Sequence, residues 1–227
     1  MVYVIIILVA AIILLPGVWV KMTIKKYSSE LPGLPGTGGQ FAAHLLQKFN
    51  INDVSVEQGV ANGDHYSPQE KKIRLSPDIF NGKSISAVAI AAHEVGHAIQ
   101  YQRKESIVLL REKLTPVVMV TEKLAMGLVA ISPLLIIIFK VPQLGLLAIL
   151  ASLITLGLSV LFQFIILPRE WDASFNKALP IIKQGAYLND DELPAARKIL
   201  RAAAMTYVAA TLSSILSVWR WLLFIRR

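Results

Sequence analysis

The long uncharged runs of this chain constrain its fold more than any other feature of its sequence. Val2–Val20 covers 19 residues without a charge, and Leu144–Leu167 covers 24, with Gln163 its one strongly polar residue. Crossing the roughly 30 Å of bilayer hydrocarbon takes about 20 apolar residues in a helix. Leu124–Phe139 is shorter, but the amphipathic stretch from Leu114 can extend it, and Lys140-Val-Pro-Gln143 makes a tight turn before the next run. A last apolar segment, Ala202–Ile225, carries Trp219 and Trp221 at the level of an aromatic belt, while Arg220 weakens its claim to span. No basic region precedes Val2–Val20 and no small-x-small site follows it, so the run reads as a helix rather than a cleaved leader. Together the runs predict an α-helical integral membrane protein with about four transmembrane helices in a lipid bilayer.

Composition points the same way. Hydrophobic residues make up 55% of the 227, above the roughly 45–50% of soluble chains even with glycine counted. The 23 Lys and Arg outnumber 15 Asp and Glu, for a net charge of +8. No aromatic-basic stripe accompanies that charge, so nucleic acid is not expected as a partner. Lys21 to Lys113 holds twelve basic residues and Arg169 to Arg201 six more, which predicts a multi-pass chain with both regions facing the cytoplasm. The chain has no cysteine, which excludes disulfides and leaves any metal to His, Asp or Glu.

Between Lys21 and Lys113 the pattern changes. Leu31-Pro-Gly-Leu-Pro-Gly-Thr-Gly-Gly39 is turn-rich, and Phe41, Ala42, Leu45, Leu46 and Phe49 then have helical spacing. Val54–Val56 and Lys72–Leu75 alternate like short strands, and Ser84 or Ser86 can cap a helix through Ile85–Gln100. The expected organisation is a membrane helix over 1–22, a small α+β domain over 23–113 and two membrane helices over 114–167. A helical segment over 168–201 and a membrane or membrane-associated helix over 202–227 complete it. A domain of about 90 residues has little core of its own, and would lean on the membrane helices or on a bound metal.

The string Ala91-Ala-His93-Glu94-Val-Gly-His97-Ala-Ile-Gln100 lies on the predicted helix. Histidines four apart project from one helix face, and two imidazoles so placed can chelate a single Zn²⁺. Glu94 is turned about 100° from His93 and falls beside the open coordination position, where it can serve as general base. Gly96 and the alanines at 87, 89, 91, 92 and 98 let other backbone pack close. The competing reading is an amphipathic helix with two solvated histidines. The apolar run Ala87–Ala92 argues against it.

A catalytic zinc needs a third protein ligand. The candidates are His65, Glu105, Glu112, Glu170, Asp172 and Glu192. Two crossings between His97 and Glu170 return the chain to one face, and Glu170 then emerges on the first turn of an expected helix, Glu170-Trp-Asp-Ala-Ser-Phe. This favours Glu170, with Asp172 next. The alternative role for both acids is to complement a helix N-terminal dipole.

Several strings carry a resemblance. Asp64-His-Tyr-Ser-Pro68, Arg74-Leu-Ser-Pro77, the histidine string, Leu167-Pro-Arg-Glu-Trp-Asp-Ala-Ser174 and Ala203-Ala-Met-Thr-Tyr-Val-Ala-Ala210 resemble the neutral zinc metallopeptidases of bacterial membranes, the YugP-like family. The match runs along almost the whole chain. More distantly, the layout is similar to the heat-shock and CAAX-processing membrane zinc peptidases. The resemblance implies a zincin-like catalytic domain with one Zn²⁺ per chain, held by His93, His97 and Glu170, and Glu94 as the catalytic base. It also implies polypeptide substrates at a bacterial plasma membrane. Ser174 stands where the distant relatives have Asp, so the partner that orients a zinc histidine is altered, with Asp172 a substitute. Asn62 lies where related peptidases have a substrate-pairing edge strand, or else in a plain turn. His65 lines the cleft or hydrogen-bonds within the domain, and Tyr207 donates to an oxyanion or simply packs. His44 reads as structural.

Two other functions use the same residues. An intramembrane protease would carry the histidines on a membrane helix, but Tyr101-Gln-Arg-Lys-Glu105 follows His97 too soon for a span. A zinc-binding scaffold or assembly factor would keep the ligands without turnover. The expected function is therefore a membrane-embedded zinc metallo-endopeptidase, with homo-oligomers or membrane protein partners left open.

Overall fold

Ser84 accepts a hydrogen bond from the Ala87 amide at 3.1 Å, and so starts the helix that carries both histidines. The computed structural model describes residues 2–206, 208 and 209. Its elements are α1 (Val2–Lys26), α2 (Gly38–Lys48), β1 (Ser55–Gln58), β2 (His65–Ser67), β3 (Lys72–Leu75), α3 (Pro77–Phe80) and α4 (Ile85–Gln102). Then come α5 (Ser106–Phe139), α6 (Pro142–Trp171), a π-helical turn (Asp172–Ala178), α7 (Leu179–Gln184) and α8 (Leu193–Ala204). They form two compact units.

The first unit comprises Val18–Val108 and Pro168–Thr206, and α4 is its centre. Every residue of α4 from Ser86 to Gln100 is buried. A helix apolar on all sides must be enclosed on all sides. Val88, Ile90, Val95 and Ile99 belong to the core, α4 packs against α2, α8 and the π-helical turn among others, and the intervening alanines keep it narrow. Gly96 meets one close approach. A Cβ there would stand 2.8 Å from the Ala173 carbonyl oxygen, so a larger residue would push the π-helical turn away. Thr37 and Gln40 close a capping box at the start of α2. The sheet has the order β1-β3-β2, with β1 parallel and β2 antiparallel to β3, and Ile73 and Leu75 of the central strand are fully buried in the core.

The second unit contains, among the described residues, the first part of α1, most of α5 and most of α6. A Cβ at Gly145 would stand 2.4 Å from the Ile136 side chain, so α6 begins close against α5.

The expectation of about four transmembrane helices is corrected. Among the described residues one helix, the 34-residue α5, is long and apolar enough to cross a membrane by length and composition; Gln143–Ser152 within α6 is a shorter apolar stretch. The apolar runs of the sequence are not all free-standing spans. The end of α1 belongs to the first unit, with Val20 buried and Ile24 packed on the core. The end of α6 belongs to it too, with Arg169 and Glu170 buried. Ala202, where a last span was expected to begin, lies in the closing turn of α8 with Ala203 and Ala204 buried beside it. Most of the remainder of that segment lies outside the described residues.

A second correction concerns Glu170. The sequence placed it on the first turn of a new helix, but α6 runs through Pro168 and Glu170 falls in its last turn. No helix N-terminus stands there for the two acids to complement. Of the two readings of Asn62, the turn is the one observed: Ala61 and Asn62 form a turn, and β2 follows as an edge strand of the sheet.

Candidate metal centre

His93 and His97 lie four residues apart on α4, and their rings come together edge to face with centroids 4.6 Å apart. Glu170 reaches them from the end of α6. Its Oε2 lies 3.0 Å from His97 Nε2 and 3.5 Å from His93 Nε2. Two donors of a tetrahedral zinc, each about 2.0–2.1 Å from the ion, are about 3.3 Å apart. Both edges from Glu170 to the imidazoles therefore fall close to the separation such an ion requires. All three residues are buried, and they form the one cluster of three such donors found among the described residues.

The far side of each ring is tied. Ser174 Oγ donates to the Leu200 carbonyl at 3.0 Å, so it is an acceptor towards His93 Nδ1, also 3.0 Å away. Gln100 Nε2 donates to the Arg169 carbonyl at 2.9 Å and to Asp172 Oδ2 at 2.7 Å, which leaves Gln100 Oε1 to accept from His97 Nδ1 at 2.9 Å. Both imidazoles thus keep a proton on Nδ1 and present Nε2 on the side of Glu170. That is the tautomer a metal ligand needs.

Comparison with known proteins points to the same metal. The family described as "Putative neutral zinc metallopeptidase" matches residues 2–226. The chain belongs to this family. It is similar to a Bacillus subtilis (strain 168) protein named "Putative membrane protease YugP", with 37% identity over 211 residues, covering 90% of this chain and 87% of that one. No solved structure matches. The chain is accordingly a zinc peptidase, a hydrolase of peptide bonds.

In the peptidase, the buried carboxylates of Glu94 and of Glu170 in the cluster have opposite tendencies. Burial pushes Glu94 up to about 7. Burial opposes ionisation of Glu170 too, but His97, His93 and Arg169 hold its carboxyl well below the usual range. Burial also brings His97 down to about 4. Asp64, in the loop before β2, accepts from the Ser76 amide at 2.6 Å and its hydroxyl at 3.1 Å, and burial raises its carboxyl.

The remaining sequence-predicted residues scatter. Asp172 is not in the cluster of three donors; it accepts from Gln100, which in turn holds His97, and from Asn176 and Lys177. Asn62 is exposed in its turn with φ of 56°. His65 is exposed on β2, its Nδ1 2.7 Å from the Gly63 carbonyl. Tyr207 lies outside the described residues. Among the other weighed ligands, Glu105 accepts from Lys177 at 3.0 Å, and Glu192 accepts from the Asn189 amide at 2.7 Å. His44 Nε2 lies 2.8 Å from the Tyr187 hydroxyl. Sequence reasoning passed over Gln100 and Arg169. Gln100 was within reach, since it follows His97 by three positions on the same helix face. Arg169 had been absorbed into a count of basic residues.

Proposed function

We propose that the chain is a membrane-held endopeptidase acting on polypeptides near a bacterial membrane surface, with His93, His97 and Glu170 as zinc ligands and Glu94 as general base. The observation that carries this reading is the convergence of one Glu170 oxygen and two Nε2 atoms at 3.0 and 3.5 Å. Bound there, zinc would supply a Lewis acid for the substrate carbonyl and bring water within reach of deprotonation near neutral pH. Glu94, raised to about 7, is poised to take a proton and return it to the leaving amine. The Ser174 and Gln100 hydrogen bonds keep both imidazoles turned for ligation throughout.

Membrane attachment is supported by the apolar length of α5 and by the name of the Bacillus relative. The basic residues of 21–113 and 169–201 support a cytoplasmic site. Purified protein should carry one zinc per chain and cleave casein, and His93→Ala should lose both. Unchanged zinc in that variant would refute the ligand assignment. A cysteine introduced at Ser67 should resist an impermeant reagent applied to intact cells; labelling from outside would reverse the orientation.

A further inference from the structure

Glu170 has two carboxylate oxygens, and they have different partners. Oε2 faces the two histidines, while Oε1 accepts a hydrogen bond from Arg169 Nη1 at 2.7 Å. Arg169 is 2% exposed, and its Nε is buried with no hydrogen-bond partner among the described residues. A guanidinium free to satisfy itself would turn its donors towards acceptors or water. This one forgoes a bond and keeps Nη1 on Glu170. Two neighbours on α4 hold it there. Gln100 Nε2 donates to its backbone carbonyl at 2.9 Å, and the centroid of the Tyr101 ring stands 5.7 Å from its guanidinium carbon. The helix that supplies both histidines therefore also fixes the arginine next to the carboxylate.

A carboxylate with both oxygens free can close on a metal through both. One whose second oxygen is engaged by a cation binds through the first alone. A catalytic zinc must keep a coordination position open beyond its three protein ligands. We infer that Arg169 is a positioning residue that commits Glu170 to single-oxygen ligation and so leaves the fourth position to water and substrate. This rests on the ligand assignment proposed above.

The test uses the full chain in detergent, loaded with Zn²⁺ or Co²⁺. X-ray absorption of the wild-type zinc form should give four donors, with one Glu170 oxygen at about 2.0–2.2 Å. Arg169→Met should add an oxygen to the coordination sphere, at least halve the visible Co²⁺ absorption, and weaken zinc affinity about 10–100-fold. A purely structural arginine would leave the Co²⁺ spectrum unmoved, and an unchanged spectrum in Arg169→Met overturns the inference. So does a wild-type zinc structure with both Glu170 oxygens at bonding distance, a result that needs no variant to fold. Zinc found away from His93, His97 and Glu170 would instead sink the underlying assignment, so the two failures are distinguishable.

Discussion

The two segments that meet at the metal centre are built on different principles. α4 brings His93, Glu94, His97 and Gln100 to the site by helical repeat alone, within eight consecutive residues. The segment from Arg169 to Ser174 brings in Glu170, 73 positions after His97, and Ser174, 81 positions after His93, at the end of α6 and in a π-helical turn. Single π turns inside helices often sit at functional sites. Here the turn lays its Ala173 carbonyl against Gly96, and its Asp172 and Lys177, five residues apart, form an ion pair. The contrast shows in the carboxylates as well. Glu94 on α4 is pushed up by burial, whereas Glu170 is held down by its cationic and imidazole neighbours. Environments that drive two carboxyls apart assign them different work.

The largest effect expected from this contrast is on turnover. Glu94→Gln removes the proposed proton acceptor and leaves every proposed ligand, so activity should fall about 10²–10⁴-fold with zinc content unchanged. Glu170→Gln should lose zinc itself. Metal analysis beside casein assays would break the division of labour if the two variants behaved alike.

The same pair predicts opposite pH dependences of stability in metal-free protein. Glu94 has a folded pKa of about 7 against 4.5 for the free side chain, so its neutral form is favoured on folding. Its contribution is fully present below 4.5 and is lost as pH rises through 7. Glu170 works the other way, contributing at higher pH and losing that contribution as pH falls below the ordinary carboxylate range. Glutamine imitates a protonated Glu94 at every pH. Relative to wild type, the metal-free Glu94→Gln protein should therefore gain about 3 kcal/mol in stability between pH 4 and pH 8. Parallel unfolding midpoints across that range would contradict the shift.

Gln100 couples the two segments, and its loss should rank third. Gln100→Leu removes the acceptor for His97 Nδ1 and the donor to Arg169 and Asp172 together. Zinc affinity should fall about 10–100-fold, as for other partners that orient metal ligands. A chelator competition assay measures it, and an affinity within twofold of wild type would show that the segments are held together by packing alone.

How much of this was legible in the sequence follows the same divide. The pattern of residues 41–49 and 72–75 marked α2 and β3 because local periodicity sets them. The histidine string stated its own geometry. The membrane architecture was misread because an apolar run says how long a helix is, and nothing about whether its end is claimed by a folded unit, as Val20, Arg169 and Glu170 are. The π turn left no signal, since it depends on Gly96 admitting the Ala173 backbone from a distant part of the chain.

Ser174 gives the smallest expected effect and the finest test of the comparison. It is the counterpart of Gln100, but it orients His93 from the other segment and has one further bond, to Leu200. Ser174→Ala leaves His93 Nδ1 and the Leu200 carbonyl without that partner, while both imidazoles keep their places on α4. Affinity for zinc should fall about tenfold, at the lower end of the range for such partners. Ser174→Asp should not improve on serine, although a carboxylate is a stronger acceptor for an imidazole proton. The serine donates to Leu200 as it accepts from His93, and an ionised carboxylate has no proton for a carbonyl. Its negative charge would face the Leu200 oxygen in a fully buried site, so thermal stability should drop below that of Ser174→Ala. If Ser174→Asp instead binds zinc more tightly than wild type with no loss of stability, the Leu200 bond is dispensable, and the π-helical turn can move to suit whichever acceptor it carries.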